Sequence, residues 1–237
     1  DDVVDLHASG RSVAALTAGG DVVVVDDAPG SESLSSVGTP ASSGDAYDLH
    51  VAGGYAFVAG GTSGVHVVRL DDGAAPTVIR SIGVGTDARA ICTTDEHLLV
   101  GDAAGTVSVH AWASKAEPVN RGFAWVSDGA NGRDVVLQGD LAWIARSSSL
   151  GLAGFDVSDP DLPVLVTDSG LAPGTALDVA GPTAYVAGTA LSVVDVSNAA
   201  FPSLLASAAL PFPARSLRVE GDFVIITTFD EGAGQSF

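Results

Sequence analysis

The chain has 237 residues, of which 46% are hydrophobic and only 16% charged. That balance suits a large buried core and argues against disorder. Its formal net charge is −19, from 29 acidic and 10 basic residues with Lys115 the single lysine, so a phosphate backbone is repelled and nucleic acid is excluded as a partner.

Only strand-length apolar runs such as Val22 to Val25 occur, which leaves no membrane-spanning segment. Cys92 is the single cysteine, so no intrachain disulfide is expected. Methionine is absent even at position 1, which reads as a processed or excised chain and is in keeping with export.

One phrase repeats from end to end. It begins as Asp5-Leu6-His7-Ala8-Ser9-Gly10 and returns as Asp48-Leu49-His50-Val51-Ala52-Gly53 and as Ala176-Leu177-Asp178-Val179-Ala180-Gly181. Weaker copies end at Asp95, Gly139 and Gly221. Anchors at 10, 53, 95, 139, 181 and 221 give a period of about 40–44 residues, the mark of one supersecondary unit used repeatedly.

The second unit shows the grammar. Val, Ile, Tyr and Phe gather in Ala46 to Ala52, Tyr55 to Ala59, Val65 to Leu70 and Thr77 to Val84. Between them stand Gly53-Gly54, Gly60-Gly61 and Asp71-Asp72-Gly73, which are turn residues. Four short strands per unit are predicted, and no helix.

Stacking the units separates rows. Four before the anchor stand Leu6, Leu49, Ile91, Val135, Leu177 and Leu217, all aliphatic, so this face is expected to pack on a neighbouring unit. The second strand is apolar on both faces: Ala56, Val58 and their equivalents on one, Phe57, Leu99, Trp143, Tyr185 and Ile225 on the other. Such a strand is sandwiched between sheets. The expectation is therefore an all-β propeller of four-stranded blades in one domain over 1–237. Blades fall at about 1–44, 45–86, 87–130, 131–173 and 174–213, with a partial sixth at 214–237.

That sixth unit has a first strand, Ala214 to Glu220, and a second, Phe223 to Thr228, and then no more. Six blades with the last incomplete is the expected count, with seven as the alternative. Either the chain continues past Phe237, which is the favoured reading, or another chain or segment completes the blade, or the last blade is a stub; an open strand edge invites pairing.

After the third strand comes a proline turn, as in Ser114-Lys115-Ala116-Glu117-Pro118, Asp159-Pro160-Asp161-Leu162-Pro163 and Asn198-Ala199-Ala200-Phe201-Pro202. Proline there suits entry to an outer edge strand. With Gly154-Phe155-Asp156-Val157-Ser158-Asp159-Pro160, Ser192-Val193-Val194-Asp195-Val196-Ser197-Asn198 and Ala184-Tyr185-Val186, the chain resembles the LVIVD-repeat β-propeller family. The resemblance implies a scaffold that is often exported or surface-attached in bacteria and archaea. It supplies no catalytic residues.

Candidate chemistry lies on the first strands, which are expected to line a central channel. Three before the anchor stand His7, His50, Cys92, Val136, Asp178 and Arg218; five before it stand Asp5, Asp48, Ala90, Asp134, Ala176 and Ser216. His7, His50, Asp5, Asp48, Asp134, Asp178 and Arg218 form the candidate ligand-binding row. Imidazoles and carboxylates together suit a divalent metal ion. Polar groups satisfied by neighbouring backbone and water give the same pattern.

Asp156, Asp159 and Asp161 lack the glutamate of a calcium loop and read as turn caps. No Gly-x-Ser-x-Gly elbow or phosphate-cradling glycine loop occurs, so no cofactor is predicted. Cys92 reads as a structural thiol. Of the tryptophans, Trp143 is assigned to the core and Trp125 to the surface.

The leading expectation is a non-enzymatic binding or structural module of an exported or cell-surface protein, contacting a protein or glycan through blade loops. The alternative is an enzyme with an axial, metal-assisted site.

Overall fold

The computed structural model describes residues 3–9, 12–28, 31–39, 46–70, 75–84, 86–126, 132–147 and 151–228. The Gly10 anchor, the Asp71-Asp72-Gly73 turn and the stretch beyond Thr228 lie outside the described residues.

Among the described residues twenty-two strands follow one another as antiparallel meanders. Sheet 1 holds β1 (Val3–Ser9), β2 (Ser12–Thr17), β3 (Asp21–Ala28) and β4 (Ser31–Gly38). Sheet 2 holds β5 (Asp48–Ala52), β6 (Tyr55–Ala59), β7 (Val65–Arg69) and β8 (Thr77–Ile82). Sheet 3 holds β9 (Ala88–Thr93), β10 (His97–Asp102), β11 (Val107–Ser114) and β12 (Glu117–Ala124). Sheet 4 holds β13 (Gly132–Gln138), β14 (Leu141–Arg146), β15 (Leu152–Asp156) and β16 (Val164–Asp168). Sheet 5 holds β17 (Ala176–Ala180), β18 (Thr183–Ala187), β19 (Ala190–Asp195) and β20 (Ser203–Ala209). Sheet 6 has only β21 (Ala214–Glu220) and β22 (Phe223–Thr228) among the described residues.

The repeat anchors turn the first hairpin. Gly53, Gly139, Gly181 and Gly221 all have φ between +56° and +58°, a region glycine enters without steric cost.

Consecutive sheets pack face to face, and each interface is its own apolar cluster. Ala14, Leu16 and Val22 of sheet 1 meet Leu49, Val51, Ala56 and Val58 of sheet 2. Phe57, Val65 and Val67 then meet Ile91, Leu98 and Val100. Leu99, Val107 and Val109 meet Val135, Ala142 and Ile144. Trp143, Ala145 and Leu152 meet Leu177, Ala184 and Val186. Ala176 and Ala187 meet Leu217, with Val224 and Ile226 half-buried beside them.

The aliphatic row is thus buried at Leu49, Ile91, Val135, Leu177 and Leu217, but Leu6 is 61% exposed. The expectation that the whole row packs fails at Leu6 because, among the described residues, no sheet covers that face of sheet 1. The same face carries exposed Val25 and Leu34. At the other end, Phe223 and Ile225 of β22 are exposed on the face that follows sheet 6. Ile225 therefore departs from the sandwiched second-strand pattern that holds for Phe57, Leu99 and Trp143.

Within sheet 4 a tryptophan is accommodated by a missing side chain. Trp143 is fully buried and pairs across the ladder with Gly154, where an added Cβ would sit 2.7 Å from the ring atom Cζ3. Gly154→Val is expected to destabilise the fold by about 1–3 kcal/mol through overpacking. Gly83→Ala, which meets nothing within 4 Å, should stay within about 0.5 kcal/mol. Urea melts of the two variants check this; equal midpoints would refute the assigned packing.

Candidate functional site

The first strands β1, β5, β9, β13, β17 and β21 surround a central cavity of about 960 Å³. Asp5, His7, Asp48, His50, Asp134, Asp178 and Arg218 all line it, with Cys92 among them. The expected row is therefore brought together, but its hydrogen bonds run from sheet to sheet.

Each carboxylate reaches across an interface to the backbone of the next first strand. Leu49 N donates to Asp5 Oδ2 at 2.9 Å, and Ile91 N to Asp48 Oδ2 at 2.6 Å. Leu177 N donates to Asp134 Oδ2 at 2.7 Å, and Val219 N to Asp178 Oδ2 at 2.7 Å. The other oxygen accepts from the following residue of its own strand: Leu6 N on Asp5, Leu49 N on Asp48, Val179 N on Asp178, each at 2.8 Å. The histidines act alike. Val51 N donates to His7 Nδ1 at 3.1 Å, and His50 Nδ1 is 2.6 Å from Thr93 Oγ1.

Two rows share this task. Where the residue five before the anchor is aspartate, it makes the bridge: Asp5, Asp48 and Asp134. Where that residue is alanine, Ala90 or Ala176, the residue two further on takes over. Asp178 bonds Val219, and the Cys92 sulfur meets the backbone of Leu137. All five interfaces between consecutive sheets are clasped. Arg218 stands apart, because a guanidinium offers no acceptor.

Burial dominates the electrostatics. It pushes the Asp134 carboxyl up to about 7, against the pull of its backbone bonds to Leu177 and Val135. Burial, then the charge of Asp5, lifts the Asp48 carboxyl well above the usual carboxylate range. The Cys92 thiol rises to about 11 by burial, which makes it a poor nucleophile. Burial, then His7 and Arg218, lowers His50 to about 3. His7 is lowered by burial as well, so its Nδ1 stays free to accept. The two imidazoles lie with ring centroids 3.9 Å apart. Among the described residues no three His, Cys, Asp or Glu side chains are grouped to hold a metal ion.

A further row was not anticipated. Val4, Tyr47, Arg89, Arg133, Thr175 and Arg215 stand six before the anchor and line one end of the cavity. The pairing register slips between Val3 and Asp5, between Ala88 and Ala90, between Gly132 and Asp134, and between Ala214 and Ser216. Val4, Arg89, Arg133 and Arg215 are the extra residues of these bulges, and a bulge re-aims its side chain.

Outside the channel, the predicted caps form. Ser158 N donates to Asp156 Oδ1 at 2.9 Å and Asp161 N to Asp159 Oδ1 at 3.0 Å. Asp161 also takes Arg121 in a two-pronged pair at 2.6 and 2.5 Å. Trp125 is 61% exposed and stands against Phe123, ring centroids 5.7 Å apart. Trp112 packs on Phe57.

Radial antiparallel sheets of four strands about an axial channel define a β-propeller. The LVIVD repeat matches at residues 43–81, 129–168 and 173–209, and the chain belongs with the LVIVD-repeat β-propellers. No curated protein sequence matches it.

Among solved structures, a protein from Lactobacillus plantarum is similar at 13% identity and TM-score 0.81, over 95% of this chain and 77% of that one. The periplasmic gluconolactonase PpgL of Pseudomonas aeruginosa is similar at 16% identity and TM-score 0.79, over 94% and 77%. BamB from Moraxella catarrhalis is similar at 13% identity and TM-score 0.64, over 96% and 83%. At these identities the likeness is one of fold.

Proposed function

We propose that the chain is a non-enzymatic binding module of an exported or cell-surface protein, contacting a protein or glycan partner through its blade loops. The observation that carries this reading is the engagement of the channel acids and of His7 as acceptors for backbone N–H groups. A carboxylate that holds two amides in place is a poor general base, because moving it or protonating it disturbs the interface it clasps. Apolar residues at the loops support a contact surface: Leu162 and Phe201, each directly before the proline of its turn, are 68% and 80% exposed. Among the described residues β22 pairs only with β21, which supports a strand supplied by another chain or segment that completes sheet 6.

Because one structural relative is a gluconolactonase, the enzymatic alternative has a direct test. Glucono-δ-lactone hydrolysis in the presence of the protein, with and without added divalent metal, is expected to match the spontaneous rate. Turnover above that rate which disappears in Asp48→Asn would overturn the binding-module reading.

A further inference from the structure

The chain holds ten cations against 29 acids, yet four of the ten, Arg89, Arg133, Arg215 and Arg218, line this one cavity. In so acidic a protein an arginine ordinarily finds a carboxylate. Arg80 pairs with Glu117, Arg121 with Asp161 and Arg146 with Asp168. Among the described residues Arg133, Arg215 and Arg218 form no ion pair. Arg133 Nε reaches only the Ser147 hydroxyl at 3.3 Å, and Arg215 Nη2 only the Val4 carbonyl at 3.5 Å. They are not counter-ions to the channel acids either, whose oxygens accept from backbone amides.

Arg89, Arg133 and Arg215 occupy the bulge position of three different first strands, so they gather at the mouth where those strands begin. Arg89 is held in place by Asp87 and lies 3.8 Å above the Tyr47 ring. Thr175 lines the same mouth.

We propose that this mouth is a binding site for a short saccharide bearing an oxyanion, with Arg133 and Arg215 as its principal holders. Guanidinium forks match carboxylate and sulfate in a two-pronged geometry. The Thr175 hydroxyl donates to Ala214 O at 2.7 Å and keeps its lone pairs to accept from a sugar hydroxyl. The cavity volume falls within the range of organic ligand sites. The overall charge of −19 repels a long polyanion and so limits the ligand to a few charges. This inference rests on the binding-module reading and names its ligand class.

Isothermal titration of the full chain at low salt, with trigalacturonic acid, its methyl ester and a sulfated neutral trisaccharide, tests it. The acid or the sulfated sugar is expected to bind, and whichever does identifies the oxyanion's source. The uncharged ester should bind at least tenfold more weakly. Arg133→Gln with Arg215→Gln should weaken the charged ligand at least tenfold at an unchanged unfolding temperature, because both side chains are exposed. Arg80→Gln, on an outer strand, should leave it unchanged.

Equal affinity for acid and ester, binding indifferent to the double substitution, or no binding of either charged sugar would overturn the proposal. None of those outcomes touches the binding-module reading, which fails on the lactone assay instead.

Discussion

Asp168→Ala is expected to lower the unfolding free energy by about 3–5 kcal/mol, while Arg146→Met costs less. Arg146 ends β14 with a side chain that is 0% exposed, and its Nη2 bonds Asp168 at the end of β16. Its Nε donates to Gly151 O at 2.9 Å. Removing the carboxylate takes the Asp168 partner from a fully buried guanidinium that cannot be deprotonated. Removing the arginine leaves Asp168, which is 27% exposed and can be hydrated. Methionine also refills most of the volume. Urea denaturation of both variants at neutral pH measures the asymmetry. A larger loss for Arg146→Met than for Asp168→Ala would show that the pair is held by packing rather than charge.

The sequence pattern revealed the sheets through the aliphatic row and the doubly apolar second strands, since burial on both faces leaves a direct trace in residue type. Leu6 and Ile225 misled that reading because row membership reports what a face is made for, not whether a neighbour covers it. The channel row was legible as polar residues near an axis. Its clasping role was not legible, because hydrogen-bond direction between sheets cannot be read from spacing; Asp178 and Cys92 stand two residues beyond Ala176 and Ala90, which hold the place of the aspartate. The arginine row was hidden for a definite reason. By strict alternation, position −6 shares the core-facing side with the aliphatic row at −4, and only an inserted bulge residue reverses that parity. An arginine at a position that parity assigns to the core, at Arg89, Arg133 and Arg215, is the signal that marks such bulges.

The clasp makes the fold's stability depend on pH in two opposed ways. Asp48→Ala removes the acceptor from Ile91 N, while Leu49 N keeps Asp5 Oδ2, and at about 1–3 kcal/mol for one stranded donor the expected loss is about 1–3 kcal/mol. Asp134→Asn keeps one acceptor oxygen, costs less, and isolates the charge. With its carboxyl raised to about 7 in the folded chain, Asp134 holds a proton that the unfolded chain releases near 4. Its contribution is therefore fully present below about 4 and is lost as pH rises through about 7. Asp48, raised in the same direction, adds to that loss. His50 and His110, lowered to about 3 and about 4, act oppositely: their contribution is present above about 6.5 and is lost as pH falls. In the native chain the two trends offset each other between about pH 4 and 6.5. Asp134→Asn removes a carboxyl trend and leaves the histidine trend, so its urea midpoint should rise from pH 5 to pH 7.5 more steeply than that of the native chain. Parallel profiles for the two proteins would mean that Asp134 stays ionised in the clasp, held by Leu177 N and Val135 N against its burial.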